Sequence, residues 1–162
     1  MRLNEGVEWA AHACAVLAAL PQGRGLTAAT LAAFHELPPS YMAKQLQALA
    51  KAGVVTSLRG ARGGYRLARR PSDISLWEVA AAIEGEDRGF RCSEIRRKGP
   101  CASSPQSCKT PCAVAASFWA AEDAYRESLR RCTVADIVRE VLKGSDEAYG
   151  RRFSAWLATA LG

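Results

Sequence analysis

Between Glu36 and Asp73 the chain has no acidic residue, while Lys44, Lys51, Arg59, Arg62, Arg66, Arg69 and Arg70 all fall in that interval. Such a segregated positive stretch favours polyanions through counterion release, nucleic acid first and an anionic membrane surface second; a solvated basic face is the plainer alternative. A long hydrophobic run is also missing. The longest uncharged apolar stretch, Ala13 to Leu20, is far too short to cross a bilayer, and the start MRLNEGVEW lacks a basic segment followed by a clean apolar one. The expectation is a cytoplasmic protein with no membrane partner. Nucleophile elbows, phosphate-cradling glycine loops and paired-carboxylate pockets are absent too, which argues against an enzyme. Histidine is scarce, with only His12 and His35, but cysteine is not. Six cysteines without an export signal point to metal binding or redox chemistry, since cytosolic thiols are normally kept reduced.

What is present begins with size: 162 residues at 49% hydrophobic content suit one domain, or a small domain with an appended element. Gly6 to Leu20 reads as a first helix, and the segment Pro21 to Gly25 breaks it. Thr27 is a good cap for a short helix with Leu31 and Phe34 or Leu37 inward. Pro38 and Pro39 cannot continue that helix, so Ser40 is expected to cap the next one, Tyr41 to Ala52, which Gly53 ends. Two strand-like runs follow, Val54 to Leu58 and Tyr65 to Leu67, around the loop RGARGG. Helix-turn-helix plus an arginine-tipped hairpin is the winged-helix arrangement, whose second helix enters the major groove of double-stranded DNA. Ser40, Tyr41 and Lys44 can bind phosphate and Gln45 can address a base edge. Gly63 and Gly64 let the wing approach closely, and Arg59 and Arg62 suit a narrow minor groove. Tyr65 serves equally well packed on the sheet or against DNA.

Beyond the wing, Ser75 to Ile83 reads as a helix ended near Gly85. The polar stretch from Gly85 to Cys112 then holds Cys92, Cys101, Cys108 and Cys112, and a loop of this length usually has a function. A long helix from Ala113 to about Arg131 carries Val114, Phe118, Ala121, Tyr125 and Leu129 on one face. It either dimerises the chain, with two-fold symmetry matching a palindromic operator, or is buried on its own domain. Thr133 caps a further helix through Leu142, and Asp146 to Leu161 reads as a last, weaker one. The expected fold is thus mainly α: a winged helix-turn-helix with a two-stranded wing and a long dimerisation helix. Its divisions are 1–84 (DNA binding), 85–112 (cysteine-bearing loop) and 113–162 (dimerisation and C-terminal helices).

The first helix also carries Glu8, Trp9 and His12. Residues four apart share a helical face with Cβ atoms about 5–6 Å apart, so Glu8 and His12 can reach one common point. They are either two ligands or a surface pair hydrogen-bonded to each other. Cys14 and Cys132 read as small buried residues, and His35 as structural.

The segments LPPSYMAKQLQALAKAGVV and RGARGGYRLARRPSDISLWEVAAAIEG, followed by a cysteine-bearing loop and a long helix, resemble the Rrf2 family of bacterial repressors from Leu3 to about Val138. The family includes iron-sulfur regulators, but the cysteine spacing here departs from the close three-cysteine pattern of IscR and NsrR. GVEWA with a following histidine, CSEIRRKGP and CKTPC are similar instead to the redox regulator RsrR. That resemblance implies a homodimeric redox sensor holding a 2Fe-2S cluster on Glu8, His12, Cys92 and Cys112. The Glu–His and Cys–Cys pairs would come from opposite subunits, with Trp9 relaying the cluster's state. The residues leave other readings open. Cys92, Cys101, Cys108 and Cys112 could form a zinc site or a thiol switch, and a metal-dependent protein-binding adaptor is a third class.

Overall fold

The computed structural model describes residues 4–60 and 63–162. They form seven α-helices and one antiparallel pair of strands, a mainly helical winged helix-turn-helix. Two compact units are distinguished: Glu86–Ser128, and Arg2–Gly85 together with Leu129–Gly162.

In the larger unit, α1 (Glu5–Leu17) starts where the Gly6 N–H donates to the Asn4 side chain, and buries Ala10, Ala13, Cys14, Val16 and Leu17. It stops short of Leu20. The N–H groups of Ala19 and Leu20 donate three residues back in a tightened turn, and Pro21 disfavours helical backbone at the residue before it. Thr27 caps α2 (Ala28–Phe34) by accepting the Thr30 N–H. The next helix, α3 (Pro39–Lys51), begins at Pro39, not after a Ser40 cap, and has no side-chain cap bond. Proline is tolerated there because a first-turn N–H has no helical partner to lose, and its φ is already helical. Strands β1 (Val55–Leu58) and β2 (Gly64–Leu67) pair antiparallel, Val55 opposite Leu67 and Leu58 opposite Gly64.

Ser75 and Glu78 form a reciprocal capping box at the start of α4 (Leu76–Glu84), and Gly85 ends it at φ +84°. The core joins Leu26, Leu31, Met42, Leu46, Leu49, Val54, Ile74, Val79 and Val134. Val134 belongs to α6 (Val134–Gly144), whose cap Thr133 bridges back to Ser75: the Leu76 N–H donates to the Cys132 carbonyl and the Val134 N–H to that of Ile74. The C-terminal α7 (Glu147–Leu161) is a full helix packed on this core through Phe153, Trp156 and Leu157. Its apolar residues are spread thinly between arginines and small residues. Their value comes from what they cover.

In the smaller unit, the loop is tied to the first part of α5 (Ala113–Arg131). Glu122, buried at 7% exposure, accepts from the Arg126 guanidinium at 2.6 Å and from the Gly89 N–H at 3.2 Å. Arg126 also donates to the carbonyls of Glu86 and Asp87, and the Trp119 indole N–H donates to the Phe90 carbonyl. Buried charge is tolerable here because the Arg126 guanidinium and the Gly89 N–H both bond the carboxylate Oε1. Within α5 only Ala115 and Glu122 are buried, and Val114 and Phe118 are exposed at 61% and 55%.

Candidate functional site

The helix-turn-helix presents its second helix with Ser40 and Lys44 exposed and Tyr41 half-buried. Gln45 differs from the expectation. It is 5% exposed, and a Cβ placed on Gly6 would come within 2.9 Å of its Oε1, so its amide is folded against α1 and does not face a groove. The reason is periodicity: Met42, Gln45, Leu46 and Leu49 form one inward stripe, and Gln45 shares its face. The signal was present in the sequence but masked by the residue's polarity.

On the wing, Arg59 is exposed just after β1, while Arg62 lies outside the described residues. Tyr65 is half-buried against the core, and its N–H donates to the Leu26 carbonyl at 2.7 Å while the Leu26 N–H donates back at 3.0 Å. This exchange needs Gly64, at φ +120°, where an added Cβ would lie 2.4 Å from Leu26 backbone atoms; Gly63 is similarly crowded by the Leu58 carbonyl. Gly64 therefore first serves the hairpin's closure onto the chain before α2, and Gly63 the tight packing of the wing on itself.

On α1, Glu8 and His12 are both exposed, one turn apart. Glu8 borders a cavity of about 340 Å³ lined also by Glu5, Ala11, Leu76, Val79 and Leu129. Trp9 stands 6.2 Å from the His12 ring and 5.8 Å from the His35 ring, and the two imidazoles are 5.5 Å apart edge to face. His35 ends α2 and lies 4.9 Å from Phe34, which in turn packs 4.3 Å from Trp156. Burial, with the neighbouring His12 adding to it, pushes the His35 imidazole below its usual range, and its Nε2 is buried without a hydrogen-bond partner among the described residues. The sequence reading set His35 aside as structural. No spacing rule could pair it with His12, because a turn and a second helix bring them together.

In the loop, the Cys92 and Cys112 sulfurs lie 3.8 Å apart. The Glu94 N–H donates to the Cys92 Sγ at 3.4 Å, and the Ala115 N–H, in the first turn of α5, donates to the Cys112 Sγ at 3.3 Å. Arg96 holds this arrangement: it pairs with Glu94 at 2.8 Å and donates to the carbonyls of Ser107 and Thr110. Glu94 itself adopts φ +52°, a conformation few non-glycine residues keep without such anchoring. The Ala115 N–H holds the Cys112 thiol below its ordinary range. At Cys92 the Glu94 N–H acts the same way, but lost solvation and the facing Cys112 outweigh it and raise that thiol. Cys101 is exposed and Cys108 buried. Among the described residues of a single chain, no group of three or more His, Cys, Asp or Glu side chains comes together to hold a metal. The Glu8–His12 and Cys92–Cys112 pairs lie in different compact units.

The thiol pair has the donor type and spacing of two ligands on one tetrahedral metal, zinc as well as iron. Two thiolates on one tetrahedral metal, with bonds of roughly 2.3 Å, stand about 3.8 Å from each other. The observed sulfur separation is the same.

A family model described as Rrf2, iron-dependent transcriptional regulator, matches residues 3–140. The helix-turn-helix regulator YffB of Lactococcus lactis is 28% identical over 86% of this chain and 88% of its own length. Protein rrf2 of Nitratidesulfovibrio vulgaris is 35% identical over 62% of each chain, and the chain spans about half, 54%, of the Bacillus subtilis regulator YwgB. Among solved structures, T. potens IscR is similar with TM-score 0.65 at 26% identity, covering 91% of this chain and 90% of that one. CymR, the global cysteine regulator of B. subtilis, has TM-score 0.66 at 21% identity over 86% and 98%, a likeness of fold.

Proposed function

The chain belongs to the Rrf2 family of iron-dependent transcriptional regulators, which are DNA-binding proteins and not enzymes, and from that premise we propose that it senses redox state through a 2Fe-2S cluster. The observation that carries this reading is the Cys92–Cys112 pair, held at the spacing of two ligands on one tetrahedral iron. Cys92 and Cys112 of one subunit would hold one iron, and Glu8 and His12 of a second copy the other. The four-thiol alternative has less support, since among the described residues Cys92 and Cys112 are the thiols in contact and no group of three or more candidate ligands gathers. When bound, such a group supplies a reversible one-electron change of charge, made easier when a neutral imidazole replaces a thiolate.

The chain's own residues carry the rest. Glu8 and His12 leave α1 on one exposed face, so both are free to point outward from the packed helix. His12 touches Trp9 and His35, and His35 ends α2 of the helix-turn-helix. A change in the His12 ring position must be taken up by that stack, which passes it to the motif that presents Ser40, Tyr41 and Lys44 to phosphate. Arg59 and Arg62 of the wing add minor-groove charge, and Gly63 and Gly64 keep the wing close to the helix unit. Exposed Val114 and Phe118 on α5 provide the apolar seam for a homodimer, whose two-fold axis suits a palindromic operator.

Two measurements test this. Anaerobic absorption spectra of wild type, His12→Ala and Cys101→Ala should show iron-sulfur bands lost in the first variant and kept in the second. Operator binding, titrated against oxidation state, should differ between oxidised and reduced protein; equal affinity removes the sensor role.

A further inference from the structure

Arg96 reaches from one end of the loop to the other. It bonds Glu94, two residues after Cys92, and the carbonyls of Ser107 and Thr110, just before Cys112. The two sulfurs are in contact across a separation of 20 residues, and these Arg96 bonds tie the two ends of that segment together. Neither thiol is fully buried, so a small oxidant reaches both. By contrast Cys14 is wholly enclosed, and Cys108 is buried without a thiol neighbour among the described contacts.

We infer that Cys92 and Cys112, in protein free of metal, close an intramolecular disulfide on meeting a peroxide, which makes this pair a second oxidant-responsive site. The inference rests on the ligand reading only in its consequence, that the oxidised pair offers no thiolate to iron. In the first step one thiolate attacks the O–O bond; the S–O bond forms, the O–O bond breaks, and the departing hydroxide takes up the proton that thiol had lost. The second sulfur then attacks the sulfenic sulfur. An S–S bond forms, the S–O bond breaks, and the leaving hydroxide combines with the second thiol's proton. Two thiols and one hydrogen peroxide give one disulfide and two waters, the sulfurs losing the two electrons that the peroxide gains.

Sequence makes the test clean, because trypsin cuts after Arg91, Arg96, Lys98, Lys109 and Arg126. Cys92 and Cys112 then fall on separate peptides, and Cys101 and Cys108 share a third. Full-length protein, stripped of metal by chelation and treated with equimolar hydrogen peroxide, is alkylated and digested without reductant. The expected result is a linked pair joining the 92–96 and 110–126 peptides, two hydrogens lighter than their sum. It should run as a monomer on a denaturing non-reducing gel and persist in Cys101→Ser. Full alkylation of Cys92 and Cys112 after peroxide, or links that instead involve the 99–109 peptide or a second chain, overturns the proposal. The readout needs no iron. Failure of the cluster reading leaves this result untouched, and failure here leaves the iron-sulfur spectra untouched.

Discussion

Gly64 sits at φ +120° with Leu26 backbone atoms 2.4 Å from where a Cβ would be, so Gly64→Ala must both strain its own backbone and push the hairpin off the chain before α2. A loss of roughly 2–3 kcal/mol in denaturant unfolding is expected, against about 1 kcal/mol for Gly60→Ala, which has positive φ but open space. Arg59 is a different kind of wing residue, exposed and uninvolved in closure. Arg59→Ala should weaken DNA binding, most on sites with a narrow minor groove, and lower the slope of log affinity against log salt by about 1, measured by anisotropy over a salt series. Cys14 shows how burial alone decides reactivity. Its thiol is pushed up to about 12 by loss of solvent, so it should resist iodoacetamide in the native protein and react only on unfolding.

Caps and covering helices act at the scale of elements. Ser75 both starts α4 and faces the Thr133 cap of α6, so Ser75→Ala should cost about 1 kcal/mol in thermal or denaturant melts. At the start of α6, the Thr133 hydroxyl and N–H, with Arg139, hold the Asp136 carboxyl down at about 2, from an ordinary 3.8. A depressed acid stabilises the fold while it is ionised. Its contribution is complete above about pH 4 and is lost as pH falls through 2, so Asp136→Asn should flatten that part of an acid-unfolding curve. Helix α7 covers Phe34 with Trp156, next to the His35 that touches His12. Trp156→Ala should cost roughly 2 kcal/mol, less than the ~3–5 of a fully buried tryptophan because the ring is only partly enclosed.

For the whole molecule, the question is whether and through which face two copies pair. Family membership brings DNA binding and a typical dimer, and α5 exposes Phe118 and Val114 where a partner would cover them. Phe118→Asp should shift the protein towards monomer in light-scattering chromatography and weaken binding to a two-half-site operator far more than to a single half-site. No helix among the described residues is long and apolar enough to cross a membrane.

The sequence alone determined those features whose causes are local. Capping residues, glycines and the inward stripes marked the two short helices, the wing and the long helix, and the absence of acidic side chains marked a basic stretch from Glu36 to Asp73. The resemblance of CSEIRRKGP and CKTPC to a redox regulator pointed to Cys92 and Cys112. Only the tertiary structure decided how distant groups meet. Packing against Gly6 gave the Gln45 amide a buried place that its position on the inward stripe allowed and its polarity hid. A turn between helices brought His35 to His12, and Arg96 drew the two ends of a 20-residue loop together until Cys92 and Cys112 touched. Such contacts depend on packing summed over the chain, whereas helix starts and stops depend on a few neighbouring residues.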